Sequence, residues 1–314
     1  MNVQRDFLLL VTLAAAVATP AWGQTAAPAV APAKSGPQNA ASTPDVAEMF
    51  TGIWWHPSLP SFEPLASGPR PVTNRVRFNG VSDYNALVGD YTNPILKPWA
   101  AEVVKKYGEI SLSGVVAPNP ANQCWPEPLP FIYKNFGLQM LQKPNEITLL
   151  YEQDHEFRKI RMNQKHPEKV KPTFSGDSVG RWEGDTLVVE TVGVKVDRPY
   201  AMIDLFGTPY TDKLRVVERY RLLDYEDAKD GMDRDAKENW RPGGGGGAIN
   251  RNYRGKHLQI HVTVEDEGTF TTPWSATITY GRGVTQWPET VCAENRFEFG
   301  GKEAHVPTAD KPDF

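Results

Sequence analysis

The stretch Gly176-Asp177-Ser178-Val179-Gly180-Arg181-Trp182-Glu183-Gly184-Asp185-Thr186-Leu187-Val188-Val189-Glu190-Thr191 decides how the rest of the chain is read. Two short runs, 178–182 and 186–192, flank Glu183-Gly184-Asp185, a tight hairpin signal. Short strand-like runs recur on either side, at 137–141, 146–151 and 157–162 before it and at 213–222, 257–265 and 274–280 after it. Turn residues such as Lys143-Pro144-Asn145 separate them. Many short strands joined by tight turns, with no helices between them, predict an antiparallel meander. A sheet that long is expected to close and hide its edges, so the expected fold is mainly β: a closed barrel first, a sandwich second.

Ahead of the strands the pattern differs. The helix expected around residues 98–107 has Pro98 in a tolerated first-turn position, and Trp99, Val103 and Tyr107 at helical spacing. The fold is expected to begin near Phe50, with a proline-rich stretch to Pro71, and to form one domain over residues 47–300. Between 224 and 254, charges give way to Arg241-Pro242 and five glycines, Gly243 to Gly247; this reads as a flexible insertion, a lid or a disordered loop. The tail 301–314 is polar and expected to be loose.

Residues 1–23 have the layout of a secretory signal peptide. Arg5 leads, an apolar run covers 7–17, and Ala21-Trp22-Gly23 precedes the expected cleavage before Gln24. The apolar run is well short of the roughly 20 residues that span a bilayer, so no membrane anchor is expected. Residues 24–46, rich in Ala, Pro, Ser and Thr, read as a disordered leader. A periplasmic or secreted home is oxidising, which favours a disulfide between Cys124 and Cys292, the only two cysteines, over two free thiols. A net charge of -4 with no basic stripe argues against nucleic-acid binding.

The hairpin run resembles the signature of a large, mostly uncharacterised family of secreted bacterial proteins. Other segments fit the same pattern in order: Cys124, Tyr151-Glu152, Arg158 with Ile160, His166-Pro167, Glu218-Arg219-Tyr220, Thr263 to Asp266 with Pro273-Trp274, and Cys292-Ala293-Glu294-Asn295. The resemblance covers 120–295 and implies a lipocalin-type β-barrel. Gly52-Ile53-Trp54 is similar to the Gly-x-Trp opening of lipocalin-like barrels. Asp177 and the glycine-rich insertion depart from the family pattern. What the resemblance implies is fold and compartment, not chemistry.

Strand alternation sorts the candidate residues. His257, Gln259, His261, Thr263 and Glu265 share one face. Leu214, Val216, Glu218, Tyr220 and Leu222 share another, opposite Arg215, Val217, Arg219 and Arg221. The plain reading is a polar outside over an apolar core; the sharper one is a polar lumen with Glu and Arg paired in a ligand cavity. The ligand-binding candidates are Tyr151, Arg158, Trp182, Arg219, His261, Glu265 and Trp274, the aromatics supplying stacking and apolar area. If the protein is an enzyme, His166, Glu152 and Glu218 are the acid–base candidates, acting without a cofactor on a small organic substrate. His257 and His261 lie roughly 13 Å apart along a strand and cannot share a metal ion. Gly176-Asp177-Ser178-Val179-Gly180 has the spacing of a nucleophile elbow but leads into a strand and hairpin, not a helix. The expectation is a small-molecule binder, monomeric or a small homo-oligomer, with a cofactor-independent lyase, isomerase or hydrolase as the alternative.

Overall fold

The computed structural model describes residues 44–56, 61–83, 85–134, 136–239, 252–282, 297–298 and 302–303. The helices are α1 (Pro44–Glu48), α2 (Pro98–Leu112) and α3 (Tyr225–Glu238). The strands, in chain order, are β1 (Ile53–Trp55), β2 (Glu63–Pro64), β3 (Arg77–Phe78), β4 (Val81–Ser82), β5 (Gly137–Lys143), β6 (Glu146–Tyr151) and β7 (Phe157–Met162). They continue with β8 (Asp177–Glu183), β9 (Thr186–Val192), β10 (Arg215–Leu223), β11 (His257–Glu265), β12 (Trp274–Tyr280), β13 (Phe297–Glu298) and β14 (Lys302–Glu303).

The mainly β expectation holds. Ten strands form one curled sheet in the order β1-β5-β6-β7-β8-β9-β10-β11-β12-β2. The β8–β9 hairpin pairs Glu183 with Thr186 across a two-residue turn, where Gly184 takes φ +64°, a left-handed value that costs glycine nothing. Apolar side chains at every second position fill the concave face: Leu138 and Met140 of β5, Ile147 and Leu149 of β6, Leu187 and Val189 of β9, and Leu258, Ile260, Val262 and Val264 of β11 are all buried. Glycine marks one close approach on that face, since a Cβ on Gly180 would lie 2.7 Å from Ile160 Cγ2.

Three expectations need correction. The sheet is a half-barrel, not a closed barrel. β1 is three residues long and reaches the end of β12 through one bridge pair, Trp55–Gly281, while β2 pairs with Ala276 and Thr277 of the same strand. So short a first strand has too few backbone groups to zip the edges together. The meander is also not wholly antiparallel: β7 and β8 run parallel, with Ile160 opposite Ser178. A parallel neighbour needs a crossover of roughly a dozen residues or more, and the polar connection 163–176 supplies one.

The third correction concerns helices, of which one short one was expected. α2 has 15 residues and α3 has 14. On α2 the buried stripe is Ala100, Val104 and Gly108, one position along from Trp99 and Val103, which stay exposed. Small residues face inward because the contact is tight: a Cβ on Gly108 would lie 2.8 Å from Val88 Cγ1. α3 occupies the first half of the segment read as a flexible insertion. Ala228, Gly231, Met232 and Asp235 form its buried stripe, and a Cβ on Gly231 would come within 2.8 Å of Thr279 Oγ1 on β12. The glycine run 243–247 lies outside the described residues. Among the described residues no helix is long and apolar enough to cross a membrane.

Candidate functional site

Alternation turns Arg158 of β7 and Glu218 of β10 into the otherwise apolar concavity. Both are buried, at 3% and 0% exposure. Arg158 Nη2 donates to both carboxylate oxygens of Glu218 at 2.8 Å. Three tyrosines close round the pair. Tyr220, two residues further along β10, donates from Oη to Glu218 Oε1 at 2.5 Å. Tyr133, from the 3-10 turn Phe131–Lys134, donates to the same oxygen and accepts from Arg158 Nη1 at 3.3 Å. Tyr151 of β6 brings a third buried hydroxyl, and that hydroxyl and Arg158 Nε have no hydrogen-bond partner among the described residues.

Burial pushes the Glu218 carboxyl upward, while the Tyr220 hydroxyl pulls it back. Burial and the adjacent Glu218 raise Tyr220 well above its ordinary value, so its phenol stays a donor. The arrangement can hold a carboxylate or a phenol in a dry, apolar setting, where each hydrogen bond counts for more than in water.

Tyr133 joins this cluster to a neighbouring pocket. Its ring also lines a small pocket, ≈10 Å³ and so with room for about one water, together with Ser61, Phe62, Phe131, Asp204 and Ile278. Ser61 is 4% exposed, and its Oγ has no hydrogen-bond partner among the described residues. Asp204 accepts from the backbone N–H of Phe206 at 2.9 Å and of Thr208 at 3.1 Å, and burial raises it to about 6. A larger cleft of ≈380 Å³, at the end of α2 beside Leu87, Tyr107 and Val116, holds no charged side chain.

The structure thus divides the sequence candidates. Tyr151, Arg158, Glu218 and Trp274 lie on the concave face, and all four are buried. Trp182 is half-buried at its rim, edge-on to Phe50 with ring centroids 6.2 Å apart. Arg219, His261 and Glu265 face the other way, Arg219 Nη2 reaching Glu183 Oε2 at 2.6 Å and Arg215 Nη1 reaching Glu265 Oε1 at 2.8 Å. Arg219 and Glu265 belong to an outer wall of ion pairs and His261 lies beside Arg219 in register, so these three point away from the concave cluster: odd and even positions of a strand face opposite sides.

The three acid–base candidates do not form one site. His166 sits on the outer wall with Nδ1 2.6 Å from Asp177 Oδ1, and Asp177 is also bonded by Arg161. Glu152 directly follows β6 and is buried against Gly137 of β5, where a Cβ on that glycine would come within 2.5 Å of its Oε2. Glu218 alone reaches the concave cluster. Sequence reasoning missed Tyr133, Ser61 and Asp204, which sit in turns with no periodicity to flag them. Tyr220 carried a signal, sharing a face with Glu218. Cys124 ends a 3-10 turn at φ 54°, and Cys292 lies outside the described residues.

Comparison with protein-family models, with curated proteins and with solved structures found no match. Among the described residues, no three His, Cys, Asp or Glu side chains converge as a metal site.

Proposed function

We propose that this protein is an extracytoplasmic, lipocalin-like binder of a small, mainly apolar or aromatic molecule, held on the concave face of its half-barrel. One observation carries the reading: Tyr133 both lines a pocket and contacts the buried Arg158–Glu218 pair, linking the two. A ligand entering beside Phe62 and Ile278 would meet apolar walls and then a small set of fixed polar groups, the usual composition of a small-molecule site. The signal-peptide layout of residues 1–23 and the resemblance to a family of secreted barrels support the compartment. Export also favours the Cys124–Cys292 disulfide, which would tie an early turn to the end of the chain.

The test is native mass spectrometry of protein recovered from the periplasm or medium. The expected result is a chain beginning at Gln24, 2 Da lighter than its reduced form, with an organic molecule retained. A bare chain that also binds no member of an arene panel overturns the binding reading. A second reading, cofactor-independent acid–base catalysis, draws on Glu218, the one of the three candidates in the concave cluster, where burial raises its carboxyl. Glu218→Gln abolishing turnover of a screened substrate, with the fold intact, would favour it.

A further inference from the structure

We propose that the ligand is a small phenol, and that Tyr133 is its stand-in, displaced when the ligand binds. The proposal rests on the small-molecule reading above and adds the ligand's chemistry. Tyr133 is itself a para-substituted phenol in the buried cluster. Its ring is 1% exposed, and its hydroxyl is a donor to Glu218 Oε1 and an acceptor from Arg158 Nη1 at 3.3 Å. A free phenol in that place would make the same two bonds. The Tyr151 hydroxyl in the same cluster and the Ser61 hydroxyl in the adjoining pocket, both without a hydrogen-bond partner among the described residues, are further anchors for a second polar group on the ring.

Tyr133 is carried by a short turn and not by a strand of the sheet. Phe131–Lys134 is a four-residue 3-10 turn. Among the described residues its backbone bonds include two local ones, from Ile132 N–H to Pro128 O at 3.0 Å and from Tyr133 N–H to Pro130 O at 3.1 Å. Its side chains tie it to the core: Phe131, Ile132 and Tyr133 are all buried, and Tyr133 reaches the Arg158–Glu218 pair. Displacing it exchanges one phenol for another at the bottom of the concavity, so the Arg158–Glu218 pair stays satisfied throughout. A pair left bare in so dry a place would resist an arene that lacks the hydroxyl, because buried polar groups reject ligands that leave them unpaired.

The affinity of the native chain is lowered by the fraction of time Tyr133 occupies the site. The experiment measures 4-methylphenol and toluene binding by calorimetry to the full mature chain, to Tyr133→Ala and to Tyr133→Phe. The native chain is expected to bind 4-methylphenol at least tenfold more tightly than toluene. Tyr133→Ala is expected to tighten 4-methylphenol binding at least tenfold further, with toluene still behind. Tyr133→Phe keeps the ring but loses the anchoring hydroxyl, so it too is expected to bind 4-methylphenol more tightly than the native chain; this arm decides the matter should the alanine variant not fold. Equal affinity for the two arenes, or affinity indifferent to residue 133, overturns the inference and leaves the small-molecule reading standing. No arene bound by any of the three proteins brings down both.

Discussion

Arg158 and Glu218, on strands separated by two others, meet in a dry concavity with Arg158 Nη2 2.8 Å from each carboxylate oxygen. Removing either charge strands the other without water. Glu218→Gln or Arg158→Met should each destabilise the protein by about 3–5 kcal/mol, whereas the double replacement Arg158→Met/Glu218→Leu should cost less than the two singles together. Urea unfolding of the four proteins gives the coupling; additive losses would mean that the pair is not one unit.

Stability should fall as pH rises from about 5 to about 8. Burial raises Glu63 and Glu156 from 4.5 to about 8 and Asp204 from 3.8 to about 6. Asp235 adds to the effect at Glu63, and Glu127 at Glu156. Over this window the folded chain binds more protons than the unfolded one, so each rise in pH favours unfolding. Below their ordinary 6.5, His257 and His261, lowered by burial, work against this trend, so the fall with rising pH is shallower between 5 and 6.5 than above it. Thermal melting across pH 4–9 should peak on the mildly acidic side and lose roughly 5–10 °C by pH 8. A curve that rises steadily from pH 5 to 8 would contradict the assignment.

The outer-wall histidine should matter little. His166 bridges Asp177 in a half-buried, ion-paired setting, so His166→Ala should cost no more than about 1 kcal/mol, with the loss shrinking at high salt. Arene affinity should not change. A tenfold loss of binding or of any screened turnover would restore His166 to the functional site.

Two glycines of the central hairpin separate packing from backbone strain. An alanine methyl at Gly180 would press on Ile160 Cγ2 at 2.7 Å and Met162 Sδ at 2.9 Å, a predicted loss of about 1–3 kcal/mol. At Gly184 nothing lies near, and the cost of Gly184→Ala is the φ of +64° alone, about 1 kcal/mol. Urea midpoints for the two variants check both, and a neutral Gly180→Ala would show that the sheet relaxes there.

The strands were legible because their signal is local. The turn at Gly184-Asp185 and the period-two burial of Arg215–Leu223 can be read without knowing what packs on them. The α3 stripe Ala228, Gly231, Met232 and Asp235 has helical spacing too, but glycine and aspartate at two of its four positions hide it from any hydrophobic pattern.

By itself, then, the sequence determined which residues share a strand face, and so that Glu218 and Tyr220 lie on the same side. Tertiary structure alone decided that β7 runs parallel to β8, that the sheet stops at a half-barrel, and that Tyr133 lies over Arg158 and Glu218. Side-chain direction along a strand follows from backbone geometry over two residues. Strand order and the covering of a concave face depend on contacts between segments tens of residues apart, and no local pattern carries those.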